Sequence, residues 1–123
     1  MPTVEPQMLK GVLALLLLQL VEQQEDYGYS LVQRLRAAGL VDAAEGSVYP
    51  ALARLEAKGL LLPRMVREGR GPGRRYYSPS PSGVEELARL HASWAAVSAA
   101  VRAVGDKDVA AGTAPAPTRG ARG

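Results

Sequence analysis

The first strongly hydrophobic segment of the chain predicts a helix over residues 8–22. Its apolar side chains cover almost the whole circumference of a helix, and a helix of this kind is buried on more than one side. In so small a domain, the second buried side would face either a partner subunit or other helices of the same chain, and the pattern leaves both arrangements open. Residues 1–7, which precede this segment, are interpreted as a flexible arm.

A second, shorter helix follows a polar break at residues 23–26. The segment 27–30, with the sequence Tyr-Gly-Tyr-Ser, opens this helix, and Gly39 lies near its end. Apolar residues at helical spacing define the side that would face the core. These residues are Leu31, Val32 and Leu35.

A third helix is predicted to begin at Gly46 and Ser47, because a serine oxygen can accept hydrogen bonds from the first turn. Pro50 is tolerated close to such a start, where the missing N–H would be unpaired anyway. Gly59 is expected to end the helix. The inward side carries Val48, Leu52, Leu55 and Gly59, and the other side carries Ser47, Pro50, Arg54 and Lys58, with Tyr49 beside them.

The next residues predict a two-stranded hairpin. Residues 60–66 form the first strand, and Pro63 within it indicates an edge strand, because proline donates no hydrogen bond to a neighbour. Residues 68–73 are rich in glycine and proline, as turns are. Residues 74–77 begin the return strand with two tyrosines, which favour strands. Three helices and a hairpin are typical of a winged helix-turn-helix, in which the third helix enters the major groove.

A fourth helix is predicted to begin at Ser80 and Pro81, with Ser82 and Glu85 as a capping box. Apolar residues recur along it in alternating steps of three and four, which is the heptad spacing of a dimerising helix. The residues of this seam are Leu87, Leu90, Trp94, Val97, Val101 and Val104. Because the seam covers only about two and a half heptads, packing within the same chain stays open as the alternative.

These segments divide the chain into four parts. Residues 1–7 are the arm, residues 8–79 the winged helix-turn-helix domain, and residues 80–104 the C-terminal dimerisation helix. Residues 105–123 are rich in alanine, glycine and proline without any period, so they are predicted to be a disordered tail. The expected fold class is mainly α with a small β-hairpin.

Composition argues against several classes of protein. The chain has no cysteine and one histidine, so we expect no disulfide framework, no thiolate nucleophile and no multi-histidine metal site. No nucleophile is paired with a base, and we predict no catalytic residue and no cofactor. The apolar run at residues 12–18 is far shorter than the ~20 residues of a membrane span, and no basic segment precedes it. A cytoplasmic protein is therefore expected.

The positive charge of the chain is concentrated in the third helix and the hairpin. Residues 54–75 carry seven basic and two acidic side chains, a net charge of +5, whereas residues 1–53 carry −3 and residues 76–123 carry +1. Such a localised charge is expected of a surface that meets phosphates. The alternative is a charged hairpin that is merely solvated.

Several short motifs, taken in order and spacing, resemble the PadR family of winged-helix transcriptional regulators. The resemblance covers roughly residues 8–104 and implies the short subfamily, with a homodimer formed by the first and fourth helices. It also implies repression through a pseudo-palindromic operator in duplex DNA. The matching motifs are Tyr27-Gly28-Tyr29, Gly46-Ser47-Val48-Tyr49-Pro50-Ala51-Leu52, Arg54-Leu55-Glu56, Gly59-Leu60 and Gly71-Pro72-Gly73-Arg74-Arg75-Tyr76-Tyr77, followed by Gly83 and Trp94.

The resemblance assigns DNA contacts to particular positions. They are Ser47, Tyr49, Pro50 and Arg54 in the recognition helix, Arg70, Arg74 and Arg75 on the wing, and Tyr29 as a phosphate contact at the start of the second helix. Arg54 suits either a guanine edge or a phosphate, and phosphate contacts are the more common. Pro79 departs from the family pattern, and because it lacks a ladder donor, the second strand of the hairpin is expected to end early.

Trp94 is the only tryptophan of the chain and lies in the middle of the seam. In some relatives of the short subfamily, tryptophans at this position sandwich planar aromatic drugs across the dimer interface, and indole stacks well on planar cations. Trp94 is therefore a candidate ligand residue, and filling the dimer interface is the alternative.

The sequence thus predicts a homodimeric DNA-binding repressor. The alternatives are a regulator that senses an aromatic small molecule and a winged helix used only for contacts between proteins. The basic wing argues against the second alternative.

Overall fold

The computed structural model describes residues 3–106, which form four helices and one three-stranded antiparallel sheet. The helices are α1 (Pro6–Gln23), α2 (Gly28–Ala37), α3 (Glu45–Ala57) and α4 (Pro81–Gly105), and the strands are β1 (Asp26–Tyr27), β2 (Leu61–Val66) and β3 (Arg74–Pro79). Within the described residues the chain divides into two compact units, one ending at Leu90 and the other beginning at His91. Most of the predicted tail lies outside the described residues. The predicted mainly helical winged helix-turn-helix is confirmed.

Helix α1 begins at Pro6, inside the segment predicted to be an arm. The side chain of Glu5 caps this start by accepting a hydrogen bond from the backbone N–H of Met8 at 3.1 Å. Met8 near the start of the helix is exposed, whereas most of the leucines and valines that follow it are fully or partly buried in their own chain. The fully buried ones are Leu13, Leu15, Leu17, Leu18 and Val21, and the partly buried ones that pack on the core include Leu9, Leu16 and Leu20.

The hydrophobic core lies between α1, α2, α3 and the inner side of the sheet. The predicted inward faces of α2 and α3 are confirmed except at Gly59, since the other residues assigned to them are buried and Gly59 is exposed beyond the end of α3. Ala43 and Ala51 join them, and Leu61, Tyr77 and Leu87 contribute from β2, β3 and α4. None of the helices within residues 3–106 has the length and hydropathy needed to cross a membrane.

The start of α3 differs from the prediction. The helix begins at Glu45 after Ala44, which makes no side-chain cap, so Ser47 lies inside the first turn and does not cap it. Pro50 is therefore the sixth residue of the helix, and its ring nitrogen cannot donate to the carbonyl of Gly46. Both residues are exposed, so water can satisfy that carbonyl.

The end of α3 agrees with the prediction. Gly59 adopts a φ of +75°, a left-handed conformation that glycine reaches without strain. The backbone N–H groups of Gly59 and Leu60 donate to the carbonyls of Glu56 and Leu55, each at 2.9 Å. These bonds close the last turn and direct the chain into β2.

The sheet has the strand order β1-β3-β2, which confirms that Pro63 lies on an edge strand. Its register pairs Leu61 with Pro79 and Val66 with Arg74. The early end of β3 that Pro79 predicted is wrong, because β3 runs through Pro79, which pairs with Leu61, and the N–H of Ser80 then donates to the carbonyl of Leu60 at 3.1 Å.

Strand β1 was not predicted, because two residues in a polar break carry no periodic signal. The side chain of Asp26 holds this segment in place and is almost completely buried. It accepts hydrogen bonds from the N–H of Tyr27 at 2.9 Å, from Ser30 Oγ at 2.7 Å and from Arg34 Nη1 at 3.0 Å. Arg34 also donates to the carbonyl of Leu20 at 3.1 Å. The buried carboxylate of Asp26 thus links β1 to α2, and Arg34 extends this link to α1.

Helix α4 begins with a cap that joins it to α3. Ser80 Oγ accepts from the N–H of Gly83 at 3.0 Å and donates to the carbonyl of Gly59 at 2.6 Å. The predicted capping box is wrong, since Ser82 lies inside the helix. Gly83 packs so closely on the turn between α3 and β2 that a Cβ at this position would overlap the carbonyl oxygen of Leu60.

Candidate nucleic-acid interface

The exposed side of α3 carries the residues that the sequence assigned to the recognition helix. Ser47, Pro50 and Arg54 are all exposed, and Tyr49 is exposed over part of its ring. The opposite side of the same helix is completely buried in the core, so this orientation is fixed. A helix held in this way can present one polar face to a groove of DNA.

Tyr49 packs against the first residue of α2. A Cβ at Gly28 would overlap the ring of Tyr49, so a glycine is needed for this approach. Burial, with a smaller contribution from the nearby carboxylate of Glu45, raises the pKa of Tyr49, so its hydroxyl stays protonated and can donate a hydrogen bond. The contact fixes the recognition helix against α2, beside the exposed side chain of Tyr29.

The wing is the segment between β2 and β3 together with the adjoining strand ends. Arg67 and Arg70 are exposed in its turn, where Gly69 has a φ of +65°. Arg74 begins β3, and its guanidinium lies over the ring of Tyr27 at 4.7 Å from the centroid. The ring centroids of Tyr27 and Tyr76 are 5.1 Å apart with the rings tilted by 53°, so a cluster of two aromatic rings and one guanidinium ties the wing to β1.

Arg75 lies on the other side of β3 and turns toward α3. Its Nη2 donates to Glu56 Oε2 at 2.6 Å, and its Nε donates to Glu56 Oε1 at 3.3 Å. Tyr77, two residues further on, is buried, and this burial raises its pKa, with Glu56 adding to the effect. The sequence placed Glu56 in a family motif but gave no indication of this ion pair, which joins residues 19 positions apart.

The recognition helix, the start of α2 and the base of the wing enclose an open cleft of about 250 Å³. Three of the predicted DNA-binding residues, Tyr49, Arg74 and Arg75, line it. The remaining lining residues are Tyr27, Gly28 and Tyr77. The structure therefore brings part of the predicted set together, while Arg54 and Arg70 lie outside the cleft.

The seven basic residues of the segment 54–75 fall into two groups. Arg64 donates to Glu25 at 2.6 and 2.9 Å, and Arg75 is paired with Glu56. In the part of the chain that the structure describes, no carboxylate oxygen lies within 4.0 Å of the other five. These five are Arg54, Lys58, Arg67, Arg70 and Arg74. The interface therefore keeps most of its positive charge.

The residues of the predicted dimer seam of α4 differ in how far they are buried. Leu87 is 5% exposed and belongs to the core of its own chain, and its assignment to a dimer interface stays a prediction. Leu90 packs partly on the same core. The remaining seam residues are exposed, with fractions that rise toward the end of the helix. They are Trp94 at 48%, Val97 at 55%, Val101 at 66% and Val104 at 70%.

Comparison with known proteins identifies the fold and the family. The model of the transcriptional regulator PadR-like family matches residues 17–89. The comparison with curated proteins gave no significant match.

Several solved structures are similar to this chain. A PadR-like transcriptional regulator from Bacillus cereus is 38% identical, with 80% of this chain and 95% of that chain covered and a TM-score of 0.72. A Streptococcus transcriptional regulator is 37% identical, with 82% and 99% covered and a TM-score of 0.73. A PadR family transcriptional regulator from Eggerthella lenta is 28% identical, with 80% and 86% covered and a TM-score of 0.73. This chain belongs to the PadR-like family of transcriptional regulators, so it is a DNA-binding regulator and not an enzyme.

Proposed function

We propose that the protein is a homodimeric repressor that recognises a pseudo-palindromic operator in duplex DNA. The observation that carries this proposal is the group of five basic side chains on α3 and the wing that have no carboxylate partner within residues 3–106. Cationic side chains that release counterions from phosphates provide most of the affinity of such proteins for DNA. A repressor of this kind would act in the cytoplasm.

In this proposal α3 lies in the major groove and the wing lies along the backbone. Ser47, Tyr49, Pro50 and Arg54 face the base edges and the adjoining phosphates, because they occupy the exposed side of α3. Arg70, Arg74 and Arg75 contact phosphates from the wing, and the exposed Tyr29 contacts a phosphate from the start of α2.

The exposed seam of α4 supports dimerisation. Trp94, Val97, Val101 and Val104 form a row of apolar side chains at heptad spacing, and such a row is stabilised by a second helix of the same kind. A two-fold dimer would read two half-sites about one helical turn or a multiple of it apart.

Fluorescence anisotropy on labelled duplexes tests the proposal. One duplex comes from upstream of the protein's own gene and the other is its shuffled sequence, each at two salt concentrations. We expect the upstream duplex to bind ~10³-fold more tightly, with an affinity that falls as salt rises. Equal binding to both would contradict recognition of this operator. Failure to bind either would favour a winged helix that contacts only proteins.

A second candidate function is the sensing of a planar aromatic molecule at the dimer interface, and the exposure of Trp94 favours it. Almost half of this side chain is open to solvent in the single chain, so its indole is available for stacking. Because Trp94 is the only tryptophan, the tryptophan fluorescence of the protein reports on this position alone. If planar cationic dyes bind there, titration with them should quench this fluorescence to saturation. Unchanged emission with several dyes would exclude this function.

A further inference from the structure

Glu56, near the end of α3, binds one of the arginines that the proposed DNA interface uses. We propose that Glu56 competes with DNA phosphate for Arg75, so that this ion pair limits the affinity of the wing for DNA. The inference rests on the DNA-binding function proposed above and adds a residue that regulates it.

The geometry of the pair supports direct competition. Glu56 Oε2 and Oε1 accept from Nη2 and Nε of Arg75 at 2.6 and 3.3 Å, which is a two-point contact along one edge of the guanidinium. The same edge is suited to two oxygens of a phosphate. The Glu56 carboxylate and a DNA phosphate therefore cannot both occupy this edge of Arg75.

The exposure of the pair allows it to open. The side chain of Arg75 is 48% exposed and that of Glu56 is 27% exposed, so solvent reaches both charges. Ion pairs at such positions contribute little to stability, and an incoming phosphate can replace the carboxylate. The hydrogen bonds that Arg75 donates to Glu56 raise the pKa of Arg75, and an arginine also stays charged without such a partner.

Arg74 provides a natural comparison within the same strand. Its guanidinium rests on the ring of Tyr27 at 4.7 Å, which leaves its charge uncompensated. Arg75 has the same side chain one residue later, but its charge is offset by a carboxylate. Two neighbouring arginines should therefore contribute unequally to DNA binding.

A double-mutant cycle tests the competition. Glu56→Gln, Arg75→Gln and the double variant would be measured by anisotropy over a series of salt concentrations, on a shuffled duplex and on the best-bound duplex. We expect Glu56→Gln to tighten binding to both by about three- to fivefold, since exposed pairs are weak. The plot of log affinity against log salt should steepen by up to about 0.9 per protomer, the increment of one phosphate contact. When Arg75 is already replaced by Gln, Glu56→Gln should have no effect on DNA affinity or on its salt dependence.

Glu86→Gln is the matched control. Glu86 also accepts two hydrogen bonds from an arginine, Arg89, and its substitution changes the net charge of the protein by the same amount. This pair lies on α4 and makes no contact with Arg75, although the charge of Lys58 also acts on Glu86. We expect the control to change DNA affinity less than Glu56→Gln does, and an equal gain from both variants would contradict a specific role for Glu56.

A second comparison keeps the test valid if Glu56→Gln does not fold. With Glu56 intact, Arg74→Gln should weaken binding more than Arg75→Gln, because of these two arginines only Arg74 lacks a carboxylate partner within residues 3–106. Weaker binding by Glu56→Gln would instead make Glu56 a residue that orients Arg75 toward DNA, and the competition would be rejected. If the wild-type protein bound no duplex at any salt concentration, the proposed function itself would fail, which is a separate result.

Discussion

The two halves of α4 have the same apolar period but different surroundings. From Pro81 to Leu90 the helix is tied to the core by the Ser80 cap, by the close approach of Gly83 and by the buried side chain of Leu87. From His91 onward the seam continues at the same spacing, yet Val104 is 70% exposed. A continuous sequence pattern therefore serves two purposes, since the first half stabilises the fold of one chain and the second half presents an apolar row.

This difference shows how exposure identifies a surface that the pattern alone does not. Apolar residues scattered singly on a surface need no explanation, whereas a contiguous row is typical of an interaction site. The row from Trp94 to Val104 also falls in the unit that begins at His91. We therefore expect substitutions in the two halves to affect different measurements, unfolding in the first and association in the second.

The largest expected effect comes from Gly83→Ala. Because the new Cβ would overlap the carbonyl oxygen of Leu60, the start of α4 must shift, and we expect a loss of about 3 kcal/mol or more of folding free energy in urea unfolding. Gly105→Ala is the matched control in the other half, where a Cβ meets no atom within 4 Å. Its effect should stay within about 1 kcal/mol and favour the helix. Equal changes in folding free energy from Gly83→Ala and Gly105→Ala would contradict the difference between the two halves of α4.

Leu87→Ala should cause the next largest loss of folding free energy. Removal of a buried leucine side chain leaves a cavity, and we expect about 2–3 kcal/mol of destabilisation at the lower end of the range for such changes. Its counterpart Val97→Ala should leave the unfolding free energy of the monomer nearly unchanged. Urea unfolding at a protein concentration below the dissociation constant of the dimer measures both. A large loss from the valine variant would show that the second half also packs within its own chain.

Val101→Asp should affect association rather than folding. A carboxylate in an apolar helix interface is desolvated without a partner, so the dissociation constant of the dimer should rise by about tenfold or more. Sedimentation equilibrium measures this change. The control is Ala99→Asp, which adds the same charge two residues away, outside the seam, at another exposed position of α4. If both variants weaken association equally, the seam is not the interface.

The smallest expected effect concerns the pair of Glu86 and Arg89 in the first half. The hydrogen bond from Arg89 lowers the pKa of Glu86 below its ordinary value, so the carboxylate is favoured in the folded state. The pair stabilises the protein above the ordinary carboxyl pKa, and this contribution is lost as the pH falls through the lowered one. Because the pair is exposed, the difference in melting temperature between wild type and Glu86→Gln should be only about 1–2 °C near neutral pH and should vanish in acid. A difference that persisted in acid would have another cause.

Particular residues show how far the sequence predicted the fold. The inward faces of α2 and α3, the end of α3 at Gly59 and the edge position of β2 follow from local periodicity and backbone chemistry, and all are confirmed except the inward position of Gly59. The caps were less predictable. Several serines near the starts of α3 and α4 could act as caps, and only the tertiary structure selects Ser80, because its hydroxyl also reaches the carbonyl of Gly59. The extension of β3 through Pro79 likewise depends on a bond made by the next residue.

The candidate site shows the same limit. The positions of Ser47, Pro50 and Arg54 on one exposed side of α3 could be predicted, because helical spacing alone fixes which residues share a face. The different surroundings of Arg74 and Arg75 could not. Alternation in a strand sends neighbouring side chains to opposite sides, but it does not reveal that one side offers Tyr27 and the other Glu56.

The amino-acid sequence by itself determined the order of the helices and the hairpin, the concentration of positive charge between residues 54 and 75, and the family motifs. These are local or additive properties, so they need no knowledge of which segments meet. Only the tertiary structure decided that Asp26 and Arg34 link β1 and α2 to α1, that Glu56 accepts from Arg75, and that the seam of α4 becomes exposed beyond Leu90. Each of these depends on contacts between distant segments, and such contacts exist only once the core has brought those segments together.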